Sequence, residues 1–551
     1  MTILKNTAAR RGAALVAGAA VAALALSACS AQGGSSASTG TAIDWKMTES
    51  TAAPSGEIDS IKWAVYSEPY SLDYIYAFDY ADNQVLANVC ESLLRLNPDF
   101  TLSPGLAESF EHPDEMTWVY KIRSGVTFHD GSPLTAADAV ASMQRHLDPE
   151  LGSFWYSVYQ NVASIEQTGD MEVTVKMAVP DSQFNLGMGH AAGVIESAST
   201  LEALGADYGN STGGVNCTGP FQFDSWESGE NIKLSPYDGY WDESLKAKSK
   251  SFEFVFMGDT NARANALMAG EVDGSWMAPL DSAQKLMDSG KGDLLFGLNT
   301  TVSSLIVSNL EGPLGDVRVR KALLMALDRE NMNIAARSGI GEITDVQTTE
   351  SVWNGASDAA RTTAFEDIEH YEFNIEEAKK LIKEAGVEGE KIVYASAPLD
   401  QSFTVNSQAV VAAAKAIGLD AEIKTLTPSA YTTLFSDPSA REGIDLFQTE
   451  WYLSAPDALE MYSVLRTGEF SNYGNWSNEE FDQIVTEAAA TDDAAARSEL
   501  TARAQQIVNE ELPWLPLSTP PTAVFMGERI TGLSPSINFM YYPWAATLGA
   551  R

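Results

Sequence analysis

The sequence is poor in cationic side chains and in thiols. Its 551 residues include 35 Lys and Arg against 75 Asp and Glu, with only 5 His and 3 Cys. A nucleic-acid-binding protein needs a basic surface that displaces counterions, so a formal net charge of −40 argues against that class. We interpret the acidity chiefly as a solubilising surface, and a specific cationic ligand is the alternative.

Catalytic and metal-binding patterns are also missing. No His residues stand at a metal-ligand spacing, and the sequence contains neither a G-x-S-x-G nucleophile elbow nor a P-loop. Carboxylates are too numerous for a glycosidase pair to be recognised. His129 beside Asp130 is the one pair that suggests a general base. The sequence therefore predicts a protein that is not an enzyme and has no cofactor and no metal site.

Apolar runs long enough to span a membrane are absent. Residues 13–26 are apolar, but the run is too short, follows a basic segment and ends in LSAC at residues 26–29, which looks like a bacterial lipobox. We predict that residues 1–28 are a lipoprotein signal peptide and that Cys29 carries a lipid anchor. An ordinary secretory signal with an incidental Cys is the alternative.

The organisation of the remaining chain follows from its length and local patterns. Residues 29–57 are rich in Gly, Ser, Thr and Ala and predict a flexible tether. The rest is too long for one ordinary core, so two or three domains are expected. Residues 85–96 suggest a helix. A helical pattern over 409–417 and a strand pattern over 419–424 have the alternation of an α/β domain.

Residues 117–146 carry the most informative pattern in the chain. An alternating strand pattern over 117–122 is followed by turn residues at 129–133. Thr135-x-x-Asp138 then begins a helix, because the Thr hydroxyl caps exposed backbone N–H groups. A strand, a turn and a capped helix are therefore predicted within one short segment.

A second block supports a family resemblance. Asp316 is predicted to cap a helix over residues 317–329. Together with the lipobox, the two blocks resemble the family 5 extracellular solute-binding proteins, the oligopeptide- and dipeptide-binding class of ABC importers. The resemblance runs in order over about residues 60–520.

The resemblance implies an α/β, two-lobed periplasmic-binding-protein (Venus-flytrap) fold with an extra subdomain in the larger lobe. It places lobe I at residues 58–307, with the subdomain at about 113–215. Lobe II is expected at 308–517, and residues 518–551 are expected to return to lobe I. In such a fold the ligand is enclosed between the lobes by hinge closure.

The implied function is that of a membrane-anchored substrate-binding protein, which captures an extracellular solute and delivers it to an ABC permease. A peptide is the first choice of ligand. An oligosaccharide or another amine-free solute is one alternative. An extracellular hydrolase is a second, disfavoured because no nucleophile, base or metal set is present. We expect a monomer, lipid-anchored to the outer face of the cytoplasmic membrane, with permease subunits as partners and no nucleic acid.

The segment after Trp451 bears on the choice of ligand. Peptide-binding members of the family commonly have an Asp three residues after this Trp, and that Asp pairs with the α-ammonium of the ligand. Ser454 stands at this position, and Asp457 is the nearest acid. Because an unpaired buried ammonium costs several kcal/mol, either Asp457 substitutes or the ligand has no free amine there.

The remaining candidate ligand contacts lie near predicted strand ends and lobe crossings. They are Glu68, Tyr70, Trp276, Met277, Asn309, Trp451 and Tyr452. The alternative for the first two is a solvated loop, and for the others a structural or core-packing role. In the family, the position of His129-Asp130 is a structural turn.

The cysteines left after lipidation of Cys29 are Cys90 and Cys217. The resemblance places their two segments in the same lobe, and an oxidising compartment favours pairing. We therefore expect a disulfide between them. Two buried free thiols are the alternative.

Overall fold

The structure is a computed structural model that describes residues 42–551. Two mixed sheets and their helices form two α/β lobes, and a third, antiparallel sheet forms a subdomain. The predicted signal peptide, Cys29 and the first part of the predicted tether lie outside the described residues. From residue 42 onward, no helix has the length and apolar character needed to cross a membrane.

Lobe I is built on a seven-stranded sheet. In spatial order its strands are Gly292–Gly297, Thr522–Gly527, Gly274–Trp276, Ile61–Val65, Phe252–Phe256, Asn231–Pro236 and Phe221–Glu227. The flanking helices are Tyr80–Leu86, Thr260–Ala269 and Ala283–Asp288. Trp63 is fully buried, 4.6 Å from Trp544 and 6.0 Å from Trp276 between ring centroids, so aromatic packing dominates this core.

The subdomain has a four-stranded antiparallel sheet. Its spatial order is Ala107–Asp114, Thr117–Ile122, Glu172–Met177 and Val162–Gly169. Its helices are Ala136–Arg145, Tyr156–Tyr159, Phe184–Gly187 and Ala198–Leu204. Thr135 and Asp138 form the predicted capping box. The subdomain begins earlier than the expected residue 113, because Ala107 is already paired with Ile122.

Lobe II is built on a six-stranded sheet. Its spatial order is Glu342–Ile343, Trp514–Thr519, Val302–Val307, Leu446–Trp451, Lys391–Ser396 and Asp420–Thr425. Its helices are Val317–Met325, Arg329–Arg337, Asp358–Phe365, Ile375–Ala385, Gln401–Ala416, Pro428–Ser436, Leu459–Ser463, Glu479–Ala489 and Ala494–Glu511. Asp316 caps the first of them, as predicted.

The expected lobe boundary after residue 307 is wrong by one strand. Val302–Val307 lies in lobe II, between Leu446–Trp451 and Trp514–Thr519, and all six of its residues are buried. The strand combines two serines with four apolar residues, and such a pattern does not tell which of two sheets the strand joins. The chain therefore enters lobe II before residue 302.

Two smaller features also differ from the predictions. The predicted tether does not extend to residue 57, since Thr51 Oγ1 donates to the Leu533 carbonyl at 3.1 Å and Ser55 N to that of Ala550 at 2.8 Å. The short strands Ile530–Thr531 and Gly549–Ala550 pair nearby. The predicted helix over 85–96 is also wrong, because Leu94–Leu96 pairs with Leu102–Pro104 as a β-ribbon.

Cys90 and Cys217 are joined by a disulfide with 4.8 Å between their Cα atoms. Both cysteines are buried in the core of lobe I. The bond ties the segment after helix Tyr80–Leu86 to the segment that precedes strand Phe221–Glu227. The pairing expected from the sequence is therefore present in the structure.

Candidate ligand-binding cleft

The carboxyl-terminal edges of the two large sheets face each other. The chain leaves lobe I after Gly292–Gly297 and returns after Trp514–Thr519, and Asn299 Nδ2 donates to the Pro520 carbonyl at 2.8 Å between these crossings. Strand Ile61–Val65 runs in the same direction as strand Gly292–Gly297. Strand Leu446–Trp451 runs in the same direction as strand Trp514–Thr519. Ligands of open α/β sheets bind outside this edge, so the cleft lies between the lobes.

The lobes touch beside the crossings. The Tyr452 hydroxyl of lobe II donates to the Phe78 carbonyl oxygen of lobe I at 2.6 Å. The Tyr452 ring packs on Tyr80 with 5.1 Å between centroids, and the Tyr80 hydroxyl lies 3.2 Å from Thr301 Oγ1. Tyr452 is the predicted ligand residue that the structure places most directly between the lobes.

A second contact joins lobe II to the subdomain. Ser182 N of the subdomain donates to the Ala489 carbonyl oxygen at 2.9 Å, and Ser463 Oγ donates to Gln183 Oε1 at 3.3 Å. Ala489 ends a helix of lobe II, and Gln183 precedes a helix of the subdomain. Lobe II is thus hydrogen-bonded both to lobe I and to its subdomain, which is a closed arrangement of the lobes.

The segment after Trp451 is organised by a carboxylate that sequence reasoning missed. Glu460 Oε1 accepts from Ser454 N at 2.9 Å and from Ser454 Oγ at 2.7 Å, and its Oε2 accepts from Ala455 N at 2.8 Å. Burial raises the pKa of Glu460 to about 7 despite these donors. Ser454 therefore holds the loop in place through Glu460.

The Asp457 carboxylate has partners other than Ser454. Its Oδ1 accepts from Leu459 N at 2.9 Å, and its Oδ2 lies 3.3 Å from Arg497 Nε. Both carboxylate oxygens thus have partners within lobe II. The geometry gives no support to Asp457 as the partner of a ligand amine.

Three of the other predicted contacts lie at the carboxyl-terminal edge of the lobe I sheet. Glu68 accepts from Trp226 Nε1 at 2.8 Å and from Gly229 N at 3.1 Å, so its carboxylate anchors a hairpin. Tyr70 is 79% exposed, and Met277 is 36% exposed with a φ of +53°. Of these three residues, Tyr70 and Met277 therefore have side chains that are exposed to solvent.

The last three predicted contacts have structural surroundings. Trp276 is buried and stacked on Phe539, with 4.4 Å between centroids. Trp451 packs edge-on against Trp514 at 5.2 Å. Asn309 Nδ2 donates to Asp445 Oδ1 at 2.8 Å. These side chains shape the lobes around the cleft.

His129 has a structural environment as well. Its Nε2 lies 3.1 Å from the Gly219 carbonyl oxygen, and its backbone N–H donates to the Cys217 carbonyl oxygen at 2.9 Å. Burial lowers the pKa of His129 to about 4, so the imidazole is neutral at pH 7. The ring belongs to the turn packed beside the disulfide.

Two acids of lobe I, Asp79 partly buried and Asp82 fully buried, lie next to the interlobe contact and were not predicted. Asp79 accepts the Tyr66 hydroxyl hydrogen bond and caps helix Tyr80–Leu86. Asp82 is fully buried; its Oδ1 accepts from Tyr70 N at 2.6 Å, and its Oδ2 has no hydrogen-bond partner within residues 42–551. Burial raises the pKa of Asp82 well above its usual range, and the neighbouring Asp79 charge raises it further.

Arg337 is a buried cation of lobe II. Arg337 Nη2 donates to Glu450 Oε1 at 2.7 Å. The same oxygen accepts from Ser303 Oγ at 2.8 Å and from Gln448 Nε2 at 2.8 Å. Arg337 and Glu450 therefore form an ion pair. Neither residue carried a recognisable sequence signal, because their pairing joins a helix end to a strand end.

Two lobes joined by crossing segments and closed over a cleft define the class of two-lobed solute-binding proteins. The family model of bacterial extracellular solute-binding proteins, family 5 middle region, matches residues 101–473. The chain belongs to this family, whose members are substrate-binding proteins of ABC importers.

Known proteins similar to this chain agree with that assignment. The glutathione-binding protein GsiB of Escherichia coli K12 is 26% identical over 495 residues, which cover 87% of this chain and 93% of GsiB. DppA of Helicobacter pylori, solved with the peptide STSA, superposes with a TM-score of 0.79 at 19% sequence identity. The match covers 90% of this chain and 98% of the DppA chain. AgaA of A. tumefaciens R10, solved with agropinic acid, superposes with a TM-score of 0.77 at 22% sequence identity. The match covers 89% of this chain and 98% of AgaA.

Proposed function

We propose that this protein captures a peptide between its two lobes outside the cell and delivers it to an ABC permease. The observation that carries the proposal is the closed cleft, in which Tyr452 of lobe II is hydrogen-bonded to Phe78 of lobe I. Closure that depends on both lobes suits a carrier that signals its occupancy through shape. GsiB and DppA, whose names or complexes refer to peptides, support the choice of ligand.

The same proposal includes the location and mode of action. The LSAC motif supports removal of residues 1–28 and lipid attachment at Cys29, which holds a monomer at the outer face of the cytoplasmic membrane. The protein acts by binding and release, without turnover of its ligand. Replacing Cys29 by Ala releases the protein from the membrane fraction into the medium if the anchor is correct. Retention of the C29A variant in the membrane overturns this part.

Thermal-shift screening tests the ligand class. The protein lacking residues 1–29 is mixed with libraries of two- to five-residue peptides and, separately, with oligosaccharides. A ligand at a hundredfold excess over its Kd adds about 2.7 kcal/mol of stability, a clear rise in Tm. Native mass spectrometry of the purified protein identifies any co-purified solute. Stabilisation by oligosaccharides and by no peptide overturns the peptide proposal, and hydrolysis of a bound peptide overturns the binding-only role.

An amine-free solute is the second candidate. Ser454 favours it, because the position that carries an Asp in peptide-binding relatives has no carboxylate here. The complex of AgaA with agropinic acid is a case in which a protein of this fold holds a solute other than a peptide. The same screen, extended to N-blocked small acids, separates the two candidates.

A further inference from the structure

Residues 42–48, which precede the first strand of lobe I, are bonded to both lobes. Ile43 N donates to the carbonyl oxygen of Ser338, which ends a helix of lobe II, at 2.9 Å. Thr48 N donates to the carbonyl oxygen of Phe296, in the lobe I sheet, at 2.7 Å. We call these residues the N-terminal strap. A segment predicted as flexible tether therefore contacts lobe II near one end and lobe I at the other.

The side chains of the strap alternate between the protein and solvent. Ile43 and Trp45 are half-buried, whereas Asp44 and Lys46 are exposed. The Trp45 ring packs edge-on against Phe296, with 5.8 Å between ring centroids. Aromatic pairs in this geometry add about 0.5–1.5 kcal/mol to the burial of their surface. The strap is therefore held by side-chain packing as well as by backbone hydrogen bonds.

The strap covers a junction between the lobes. Ile340 of lobe II is fully buried in an apolar cluster of lobe I, and Ile43 and Trp45 pack against this cluster. Ser338 Oγ donates to the carbonyl oxygen of Leu280, in lobe I, at 3.1 Å. Ser338 is thus bonded to lobe I through its side chain and to the strap through its carbonyl group.

The strap and lobe II approach each other closely. A Cβ atom on Gly339 would lie 2.7 Å from the Ala42 Cβ atom, so the lobe II backbone passes directly beside the strap. Opening of a two-lobed protein rotates one lobe against the other about the crossing segments. Contacts of the strap that span the lobes are lost when the lobes separate, and they therefore stabilise the closed state relative to the open one.

We propose that the N-terminal strap holds the two lobes together and shifts the open–closed equilibrium of the protein toward the closed state. This inference goes beyond the proposed function, since the strap acts whether or not a ligand is present. A ligand shifts such an equilibrium only by its difference in affinity for the two states. Closure that the strap supplies is closure that the ligand need not supply, so the strap raises ligand affinity without touching the ligand.

A distance measurement between two spin labels tests the proposal without a ligand. The labels are attached to Val179→Cys in the subdomain and to Glu487→Cys in lobe II, two exposed positions beside the Ser182–Ala489 hydrogen bond. The protein lacks residues 1–29, and its native disulfide leaves the two introduced thiols for labelling. Electron–electron double resonance then gives the populations at short, closed distances and at long, open ones.

A double variant removes the strap's hold on lobe II. Ile43→Pro deletes the N–H group that bonds Ser338, and Trp45→Ala deletes the contact with Phe296. The ratio of open to closed populations is expected to rise about 5-fold or more, the factor that corresponds to loss of one hydrogen bond. An unchanged distance distribution, or a shift toward the closed distance, overturns the proposal.

The matched control changes the other face of the same segment. Asp44→Ala with Lys46→Ala replaces its two exposed side chains and is expected to leave the distance distribution as it is in the unmutated protein. An equal shift in this control overturns the proposal. Circular dichroism checks that both double variants are folded, and the single variant Trp45→Ala replaces the first if it is not.

Hydrogen exchange in the unmutated protein gives a measurement that needs no variant. The amides of Ile43 and Thr48 have carbonyl acceptors, whereas within residues 42–551 those of Asp44 and Lys46 have no backbone acceptor. Fragment mass spectrometry is expected to show slower exchange at the first two amides than at the other two. Exchange at Ile43 as fast as at Asp44 overturns the proposal, because the strap is then not bonded to lobe II.

Discussion

The Tyr452 hydroxyl donates a hydrogen bond of 2.6 Å to the Phe78 carbonyl oxygen and so joins lobe II to lobe I. Tyr452 directly follows the strand that ends at Trp451, and Phe78 directly precedes the N-cap of helix Tyr80–Leu86. Each partner is held by the secondary structure of its own lobe. The bond forms only when the two sheet edges approach, so it reports on closure.

Tyr452→Phe should favour the open state. Loss of one hydrogen bond costs about 1 kcal/mol, so ligand affinity is expected to fall by about 5-fold and the radius of gyration measured by small-angle scattering to rise. Tyr431→Phe is a matched control, since the Tyr431 hydroxyl donates to the Gln448 carbonyl oxygen at 2.7 Å within lobe II. An identical effect of both variants on closure would contradict the role given to Tyr452.

Arg145→Met should destabilise the subdomain strongly. The Arg145 guanidinium lies 3.0 Å from Asp73 Oδ1 and 2.5 Å from Glu196 Oε2, and both acids are buried. Removing the cation leaves two buried carboxylates unpaired, so we expect a loss of about 3–5 kcal/mol in urea denaturation. Arg318→Met removes an exposed partner of Asp316 and should cost no more than about 1 kcal/mol. Similar losses in both variants would refute the argument.

Replacing Cys90 and Cys217 together by Ser should lower stability. The bond closes a loop with a sequence separation of 127, and loss of a disulfide that closes a long loop costs about 2–5 kcal/mol. Calorimetry with and without reductant provides the internal control: reductant should lower the Tm of the unmutated protein and leave the double variant unchanged. A reductant effect on the double variant would point to another cause.

Glu460→Gln should remove part of the pH dependence of stability. The folded-state pKa of Glu460 is raised to about 7 by burial, above its value in the unfolded chain. Between the unfolded pKa and about pH 7 the folded state therefore binds more protons, so this contribution to stability is present at low pH and is lost as pH rises through 7. Stability is measured by urea denaturation from pH 5 to 8.5 in both proteins. The difference between the two curves should change across that window, and parallel curves would disprove the shift.

Local signals were read correctly wherever the residues that form a structure are close in sequence. Thr135 and Asp138 cap the helix that begins at Ala136, and Asp316 caps the helix that begins at Val317. A capping side chain bonds backbone groups within three residues, so a short sequence window contains the whole interaction. The helix at Tyr80–Leu86 carries the same kind of signal in Asp79, and it was missed.

The errors concern strands whose pairing partners lie outside the segment from which the prediction was made. The predicted helix over 85–96 and the lobe boundary at 307 both failed because Leu94–Leu96 and Val302–Val307 are strands whose partners lie elsewhere in the chain. Short segments that mix apolar and polar residues, as both of these do, fit a strand or part of a helix equally well. Only the pairing partner decides between them.

The amino-acid sequence was sufficient for the family, the α/β class, the capped helices and the absence of an acid at Ser454, because these depend on residue identity and short-range order. It could not show that Glu460 holds the Ser454 loop or that Asp457 forms an ion pair with Arg497. Nor could it show that Asp82 is buried with one carboxylate oxygen that has no hydrogen-bond partner among residues 42–551. Whether a carboxylate binds a ligand depends on which donors the folded chain brings within about 3 Å. The partners here are 6 residues apart for Glu460 and Ser454 and 40 residues apart for Asp457 and Arg497, and only the path of the folded chain places them together.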